Sequence, residues 1–123
     1  MTIIEAIRKI DSIKPNTYTQ EEKVGWLSTV DGMIKRNVID THHSFFPIIF
    51  IGYNQETPVD TLLLVPPPYD DLYPLWLEAQ IDYHNGEFTR YNNTIIKYND
   101  VYRAYCNDYN RTHMPKGRRI RFF

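Results

Sequence analysis

Apolar residues recur at helical spacing in the first third of the chain. Ile3, Ile7 and Ile10 form one stripe and predict a short amphipathic helix over residues 2–11. Thr19 followed three residues later by a glutamate is a capping-box pattern, so a second helix is expected over residues 20–38. Its predicted inward face is Leu27, Val30, Ile34 and Val38, flanked by Trp26 and Met33. Two glycines inside this segment, Gly25 and Gly32, weaken its intrinsic helix propensity.

A third helix is predicted to begin near Asp70 or Asp71, because their carboxylates suit the unpaired N–H groups of a first helical turn. Asn85-Gly86 is expected to end it. The predicted apolar face is Leu72, Leu75, Trp76, Ala79 and Tyr83.

The fourth helix has the most regular pattern, with apolar and aromatic residues alternating at spacings of three and four. This seam consists of Phe88, Tyr91, Ile95, Tyr98, Tyr102, Tyr105 and Tyr109. Because only a short glycine-containing turn precedes it, helices three and four should form an antiparallel hairpin. The tyrosines either pack against a neighbouring helix or form a stacking platform for single-stranded nucleic acid, and the regular spacing favours packing.

Residues 41–68 lack the helical period. Two short apolar runs, 47–53 and 61–65, flank a polar turn, which predicts a small hairpin or a pair of extended arms that ends at Pro66-Pro67-Pro68. Two strands alone are marginal in water, so this arm must pack on the helices or on a neighbouring chain. The fold class expected is mainly α, a compact bundle of about four helices with a hairpin or extended arm between helices 2 and 3 and an extended C-terminal tail.

We therefore treat the 123 residues as one domain. Its expected parts are helices 1 and 2 (1–40), the arm (41–68), the helical hairpin (69–111) and the tail (112–123). Aromatic residues make up 15% of the chain, a composition that suits half-buried surfaces and interfaces. The net charge of −1 argues against a surface that attracts nucleic acid as a whole.

Cysteine use and hydropathy indicate an intracellular protein. Cys106 is the single cysteine and is expected to act as a small buried hydrophobe. No apolar run approaches the length of about 20 residues that a membrane helix needs, and the N-terminus does not resemble a secretory signal. The chain is expected to remain in the cytoplasm in which it is made.

Few residues suggest catalytic or metal chemistry. His42-His43 would need remote help from His84 or His113 to hold a metal ion, and their spacing does not match a ligand set. Asp70-Asp71 could supply paired carboxylates, as could Glu78 with Asp82, but acids in a first helical turn are more often caps. No glycine-rich phosphate loop or nucleophile-histidine arrangement occurs. We therefore expect no enzymatic activity, no metal and no cofactor.

The tail that follows Thr112 is basic and ends in two phenylalanines. Three interpretations remain open for it: an extended peptide that docks on another subunit, a disordered end, or an arm that contacts nucleic acid.

The segment from Thr57 to Tyr73, with Leu77 to Glu87 and Arg90 to Asn93, resembles small proteins encoded in the structural gene blocks of tailed bacteriophages. These resemble the head-to-tail connector, or adaptor, family, and the resemblance covers chiefly residues 20–115. It implies a helical bundle that self-associates into a dodecameric ring on the portal protein and presents a surface to a stopper or tail-completion protein. The location implied is the head-tail interface of the virion, reached from the host cytoplasm during assembly, with possible contact to DNA in the channel.

Carried onto this chain, the resemblance assigns portal binding to the C-terminal tail. The residues concerned are Pro115, Lys116, Arg118, Arg119, Ile120, Arg121, Phe122 and Phe123. A ring would also explain the arm, because a neighbouring subunit would cover its apolar residues. The arm residues expected at that contact are Phe45, Phe46, Ile48, Phe50, Tyr53, Leu62 and Leu64. The alternative function is a small nucleic-acid-binding accessory protein that uses the basic tail.

Overall fold

The structure, a computed structural model, describes residues 1–43 and 49–116. Four α-helices form a bundle: α1 (Ile3–Ile13), α2 (Gln20–Ile34), α3 (Leu72–His84) and α4 (Phe88–Thr112). A π-helical turn, Lys35–Ile39, extends α2, and a 3-10 turn, Tyr69–Asp71, leads into α3. The predicted mainly α bundle of four helices is confirmed.

Hydroxyl side chains fix the starts of the first two helices, as the sequence indicates. Thr2 accepts a hydrogen bond from the N–H of Glu5, and the Glu5 carboxylate accepts one from the N–H of Thr2. Thr19 accepts from the N–H of Glu22 at the start of α2. These caps satisfy backbone donors that have no partner within the helix.

The core lies between the facing stripes of α1, α2 and α3. Every residue of the stripes predicted for the first two helices is buried, namely Ile3, Ile7, Ile10, Leu27, Val30, Ile34 and Val38. Burial of these aliphatic side chains is the main force that holds the bundle together.

The apolar face predicted for α3 is partly wrong. Tyr83 is 52% exposed, while Leu75 and Trp76 are only partly buried. The buried residues are instead Leu72, Tyr73, Pro74, Leu77, Ala79, Ile81 and Asp82. Since α3 packs against α1, α2 and α4, it is covered on several sides, and one amphipathic stripe describes such a helix poorly.

Helices α3 and α4 form the predicted antiparallel hairpin. Ring centroids are 5.5 Å apart for Tyr83 and Tyr91 near the turn, and 5.3 Å apart for Trp76 and Tyr98 further along the pair. Within the seam, Tyr98 and Tyr105 are buried, but Phe88 is exposed because it lies beside the turn. The first half of the seam therefore packs on α3, whereas Tyr105 meets Tyr69 of the 3-10 turn, with ring centroids 6.0 Å apart.

The arm does not fold back on itself within the described residues. It runs along the N-terminus, where the N–H of Ile3 donates to the carbonyl of Thr61 and the N–H of Leu63 donates to the carbonyl of Met1, each at 3.0 Å. Thr2 and Leu62 form an isolated antiparallel bridge. Of the two forms expected for this region, the described part adopts the extended arm.

Candidate assembly surface

The buried carboxylate of Asp31 fastens the arm to the helical body. Asp31 lies on α2 with 0% exposure. Its Oδ2 accepts hydrogen bonds from the Tyr53 hydroxyl at 2.5 Å and from the Leu64 N–H at 3.1 Å. Its Oδ1 accepts from the Tyr73 hydroxyl at 2.5 Å, and that hydroxyl accepts from the N–H of Val65 at 2.8 Å. One side chain thus connects α2, α3 and both ends of the described arm.

The donors around Asp31 are neutral. Burial raises the pKa of the Asp31 carboxyl, although the hydrogen bonds from Tyr53, Tyr73 and Leu64 oppose that shift. Burial and the neighbouring carboxylate raise the pKa of both tyrosines far above the ordinary value, so both hydroxyls remain donors. We call Asp31, Tyr53, Tyr73 and the Leu64 N–H the arm clasp.

Sequence reasoning missed the arm clasp. A signal was present, since Asp31 lies four residues after Leu27 and three before Ile34, on the predicted inward face of α2. An acid at a buried helical position needs donors from elsewhere in the fold. The sequence could indicate that need but could not show which segments supply the donors.

The arm clasp holds one side of the arm against the helical body and leaves the other side exposed to solvent. Phe50 packs on α2 beside Gly32 and makes an edge contact with Tyr53, with ring centroids 5.2 Å apart. Ile49 and Ile51 are 88% and 93% exposed, and Leu62 is 70% exposed. Exposed aliphatic side chains on a well-anchored segment are typical of a surface that another polypeptide covers.

The predicted arm contacts therefore divide into one exposed residue, three partly buried residues and three residues outside the described chain. Leu62 is exposed, whereas Tyr53 and Leu64 are partly buried against this chain's own core, and Phe50 is half-buried. Phe45, Phe46 and Ile48 lie outside the described residues. The prediction omitted Ile49 and Ile51, which occupy the alternate, outward positions of the same run. The role of this set in subunit contact stays a prediction.

The C-terminal tail begins beside the arm. His42 and Pro115 form an antiparallel bridge, flanked by hydrogen bonds from the His43 N–H to the Met114 carbonyl and from the Lys116 N–H to the Thr41 carbonyl. Both segments that were predicted to contact other subunits thus leave the helical body at one place. We call this bridge the common root.

A histidine holds the common root to the bundle. The buried ring of His42 places Nδ1 2.5 Å from the Val38 carbonyl oxygen and Nε2 2.7 Å from Asn110 Oδ1. It also meets the edge of the Tyr109 ring, with centroids 4.7 Å apart, and Tyr109 stacks on His113 at 3.9 Å. His42 is therefore a structural residue that joins the end of α2 to the end of α4.

Of the predicted tail residues, Pro115 and Lys116 belong to the described part of the chain and lie at the common root. The remaining members of that set, Arg118, Arg119, Ile120, Arg121, Phe122 and Phe123, lie outside the described residues.

The candidate carboxylate pairs have separate structural partners. The Lys14 ammonium, at the end of α1, pairs with the fully buried Asp82 and with Glu87 at 3.3 Å, and the Thr94 hydroxyl donates to Asp82. Burial opposes the charge of Lys14, but the hydrogen bonds and charges of Asp82 and Glu87 raise its pKa. Glu78 is only half-buried, beside this cluster.

Asp71 holds the N-cap position of α3, close to the predicted start, but the two acids do not cap the helix by hydrogen bonding as predicted. Within the described chain, neither carboxylate makes a capping hydrogen bond to the start of α3. Asp70 lies 3.4 Å from the amino group of Met1, and Asp71 lies 3.3 Å from the Lys9 ammonium. The docking of α1 brings these cations to the acids, and side-chain pairing replaces capping.

The other chemical candidates lie apart from each other. Across residues 1–43 and 49–116, no three histidine, cysteine or acidic side chains converge as metal ligands would. His84 stacks on Trp26 near the opposite end of α4 from His42. Burial raises the pKa of the Cys106 thiol, although a hydrogen bond with Tyr102 opposes this. Burial, followed by the contact with Cys106, raises the pKa of Tyr102 to about 12.

Comparisons with family models, with curated proteins and with solved structures give no match for this chain. In the described part of the chain, no helix combines the length and the apolar character that crossing a membrane requires.

Proposed function

We propose that this protein is a structural assembly subunit, specifically a head-to-tail connector of a tailed bacteriophage. In this proposal it forms a ring on the portal protein and links the DNA-filled capsid to the stopper or tail. The resemblance at residues 57–73 and 77–93 supplies the particular assembly, and the described surface supports the general role.

The observation that carries the proposal is an anchored arm whose outer side exposes aliphatic side chains to solvent. The arm is fixed to α2 through Asp31, while Ile49 and Ile51 are almost fully exposed and Leu62 is 70% exposed. A surface held in place before binding loses little conformational entropy when a partner covers it. An arm built in this way suits a lasting protein contact.

Charge favours protein partners for the helical body. The chain has 14 basic and 15 acidic side chains, and three of the basic ones, Arg118, Arg119 and Arg121, follow the last described residue. The described residues thus hold eleven basic and fifteen acidic side chains. A net negative body repels DNA, which leaves the tail as the part suited to contact with phosphate.

The test is to place acids on the outer side of the arm. We expect Ile49→Asp with Ile51→Asp to weaken both self-association and association with the portal protein of the same genome by at least about tenfold, because the contact would bury charge. Sedimentation velocity with and without purified portal rings measures both. Since these side chains are exposed, the fold should persist, which the helical circular dichroism signal would show.

Ile96→Asp is the matched control, because Ile96 is 58% exposed on α4 and does not belong to the arm. It should associate as the wild-type protein does. Equal association of the arm variant and the wild-type protein would contradict the proposal, as would a wild-type chain that stays monomeric with and without portal rings. Tight, salt-dependent DNA binding by such a monomer would instead favour the nucleic-acid accessory function.

A further inference from the structure

An open groove lies between α2 and the arm. Its volume is about 570 Å³, which is within the range of ligand-binding clefts. Val24, Gly25 and Tyr53 supply the apolar part of its lining, and Glu21 and Glu56 supply its charges. No basic residue of the described chain lines it.

Gly25 lies at the base of the groove, and a glycine is unusual in the interior of a helix. This residue lies inside α2, where glycine costs about 1 kcal/mol of helix stability relative to alanine. A Cβ atom at this position would meet no other atom within 4 Å, so the packing of this chain does not require glycine there. Glycine is typical of places where another chain or a ligand approaches the backbone closely.

The C-terminal tail has the composition that this groove would bind. Gly117 to Phe123 carries three arginines, one isoleucine and two phenylalanines, and no acid. Its arginines suit the carboxylates of Glu21 and Glu56, and its aromatic rings suit Val24 and Tyr53. It is the part of the sequence with the highest density of positive charge.

The position of the common root restricts binding of the tail to its own groove. Lys116 is held to Thr41, which lies just past the π-helical turn that extends α2, so about 20 Å of helix separate the root from Gly25. From Gly117 to Phe123 an extended chain covers at most about 25 Å, so only a nearly fully extended tail would reach the groove of its own chain. The tail of a neighbouring copy is not limited in this way.

We infer that the groove formed by Glu21, Val24, Gly25, Tyr53 and Glu56 binds the C-terminal tail of a second copy of this chain. This inference rests on the proposed function, since it names the contact through which the subunits join. The tail of each copy and the groove of the next are different surfaces. Such a heterologous contact generates a closed ring when the rotation between the copies closes. The tail's partner would then be the neighbouring subunit, in place of the portal that the resemblance implies.

A charge exchange in the full-length chain tests the contact. The groove variant carries Glu21→Lys and Glu56→Lys, and the tail variant carries Arg118→Glu, Arg119→Glu and Arg121→Glu. Each should raise the dissociation constant for self-association by at least about tenfold, because attraction becomes repulsion. The chain with all five substitutions should recover most of the loss, because the charges again match. Sedimentation velocity at low and high salt measures the effect, which should diminish as salt screens the charges.

Two further variants separate occupation of the groove from general charge effects. Glu22→Lys reverses an exposed acid in the same helical turn that does not line the groove, and it should associate as the wild-type protein does. Gly25→Gln places a side chain on the floor of the groove and should weaken association while stabilising α2. Unfolding in urea would confirm that this variant remains folded.

The outcomes distinguish this inference from the proposed function. If the wild-type chain associates and the groove and tail variants associate equally well, the tail of a neighbouring copy does not occupy the groove, although the assembly role stands. If the tail variant loses portal binding while self-association is unchanged, the tail binds the portal and the inference is wrong. A wild-type chain that is monomeric with and without portal rings overturns both.

Discussion

Two buried carboxylates hold different parts of this molecule in different ways. Asp82 and Asp31 are both fully buried. Asp82 pairs with the Lys14 ammonium, whereas Asp31 is surrounded in the described structure by neutral donors, two tyrosine hydroxyls and a backbone N–H. A buried charge is stable only when paired or hydrogen-bonded, and this chain uses both solutions.

The difference follows from what each acid connects. The Lys14 pair joins the end of α1 to the α3–α4 hairpin, so it closes the helical body. Asp31 joins the body to the arm, whose backbone also bonds to the N-terminal residues. Two of its donors, the Tyr53 hydroxyl and the Leu64 N–H, belong to the arm, and the third, the Tyr73 hydroxyl, belongs to α3. One side chain therefore joins the arm to both α2 and α3.

The largest effect is expected for Asp31→Ala. The substitution removes the acceptor of two hydroxyls and one N–H, and buried donors without acceptors cost about 1–3 kcal/mol each. We expect the free energy of unfolding to fall by about 4 kcal/mol, measured by urea unfolding. Asp31→Asn retains the shape and one acceptor oxygen, and should cost about half as much.

The two variants also test whether stability is lost locally in the arm or throughout the protein. Hydrogen exchange of the amide of Leu64 should increase in both variants, while exchange in the middle of α4 follows global stability only. If Asp31→Ala is as stable as the wild-type protein, the arm clasp contributes nothing and its comparison with the Asp82 pair fails.

A smaller loss is expected for Lys14→Met. It leaves the Asp82 carboxylate buried without its cation, which costs about 3 kcal/mol when one partner of a buried pair is removed. The ammonium is partly exposed, so the loss should fall at or below that figure. Adding Asp82→Asn should recover part of it, because the unpaired charge disappears. No recovery in urea unfolding of the double variant would show that Lys14 stabilises by packing its aliphatic stem.

The hydroxyls of the two tyrosines in the arm clasp should contribute different amounts of stability. The Tyr73 hydroxyl donates to Asp31 and accepts from the Val65 N–H, whereas the partly buried Tyr53 hydroxyl donates to Asp31 only. We expect Tyr73→Phe to lower the free energy of unfolding by about 2 kcal/mol and Tyr53→Phe by about 1 kcal/mol. Equal losses in urea unfolding would mean that the bond between Tyr73 and Val65 adds no stability.

The sequence predicted the helical body well and the arm poorly, for a physical reason. Helices α1 and α2 each bury one stripe, so the spacing of Ile3, Ile7 and Ile10 was sufficient to orient α1. Helix α3 is covered on several sides, and its single-stripe prediction placed Tyr83 inside when it is exposed. The helical spacing of apolar residues identifies a single buried face. It fails for α3, which is buried on several sides.

The orientation of the arm could not be predicted from residue spacing, because its hydrogen-bond partners are distant in the sequence. Its position depends on hydrogen bonds from Tyr53 and Leu64 to Asp31, 22 and 33 residues away. A period-two pattern indicates that alternate residues face opposite ways, but it does not show which set faces inward. The prediction therefore chose Phe50 for a subunit contact and passed over Ile49 and Ile51, which the structure exposes.

The smallest effect expected concerns pH. Because burial raises the pKa of Asp31 above its ordinary value of 3.8, the folded state binds a proton at this site more tightly than the unfolded state does. The resulting stabilisation is complete below that ordinary value and is lost as pH rises through the folded-state pKa. Neither Tyr53 nor Tyr73 ionises in this range, since the pKa of each is strongly raised.

Asp31→Asn isolates this contribution, because asparagine does not titrate. The stability advantage of the wild-type protein over Asp31→Asn should therefore decline as pH rises above about 4, and level off once the carboxyl is ionised in the folded state. Urea unfolding of both proteins across this range measures the decline, with Tyr53→Phe as a second reference that retains the carboxyl. An advantage that increases with pH would mean that the donors around Asp31 outweigh its burial. Neutral hydroxyls would then be sufficient to favour the charge of a buried carboxylate.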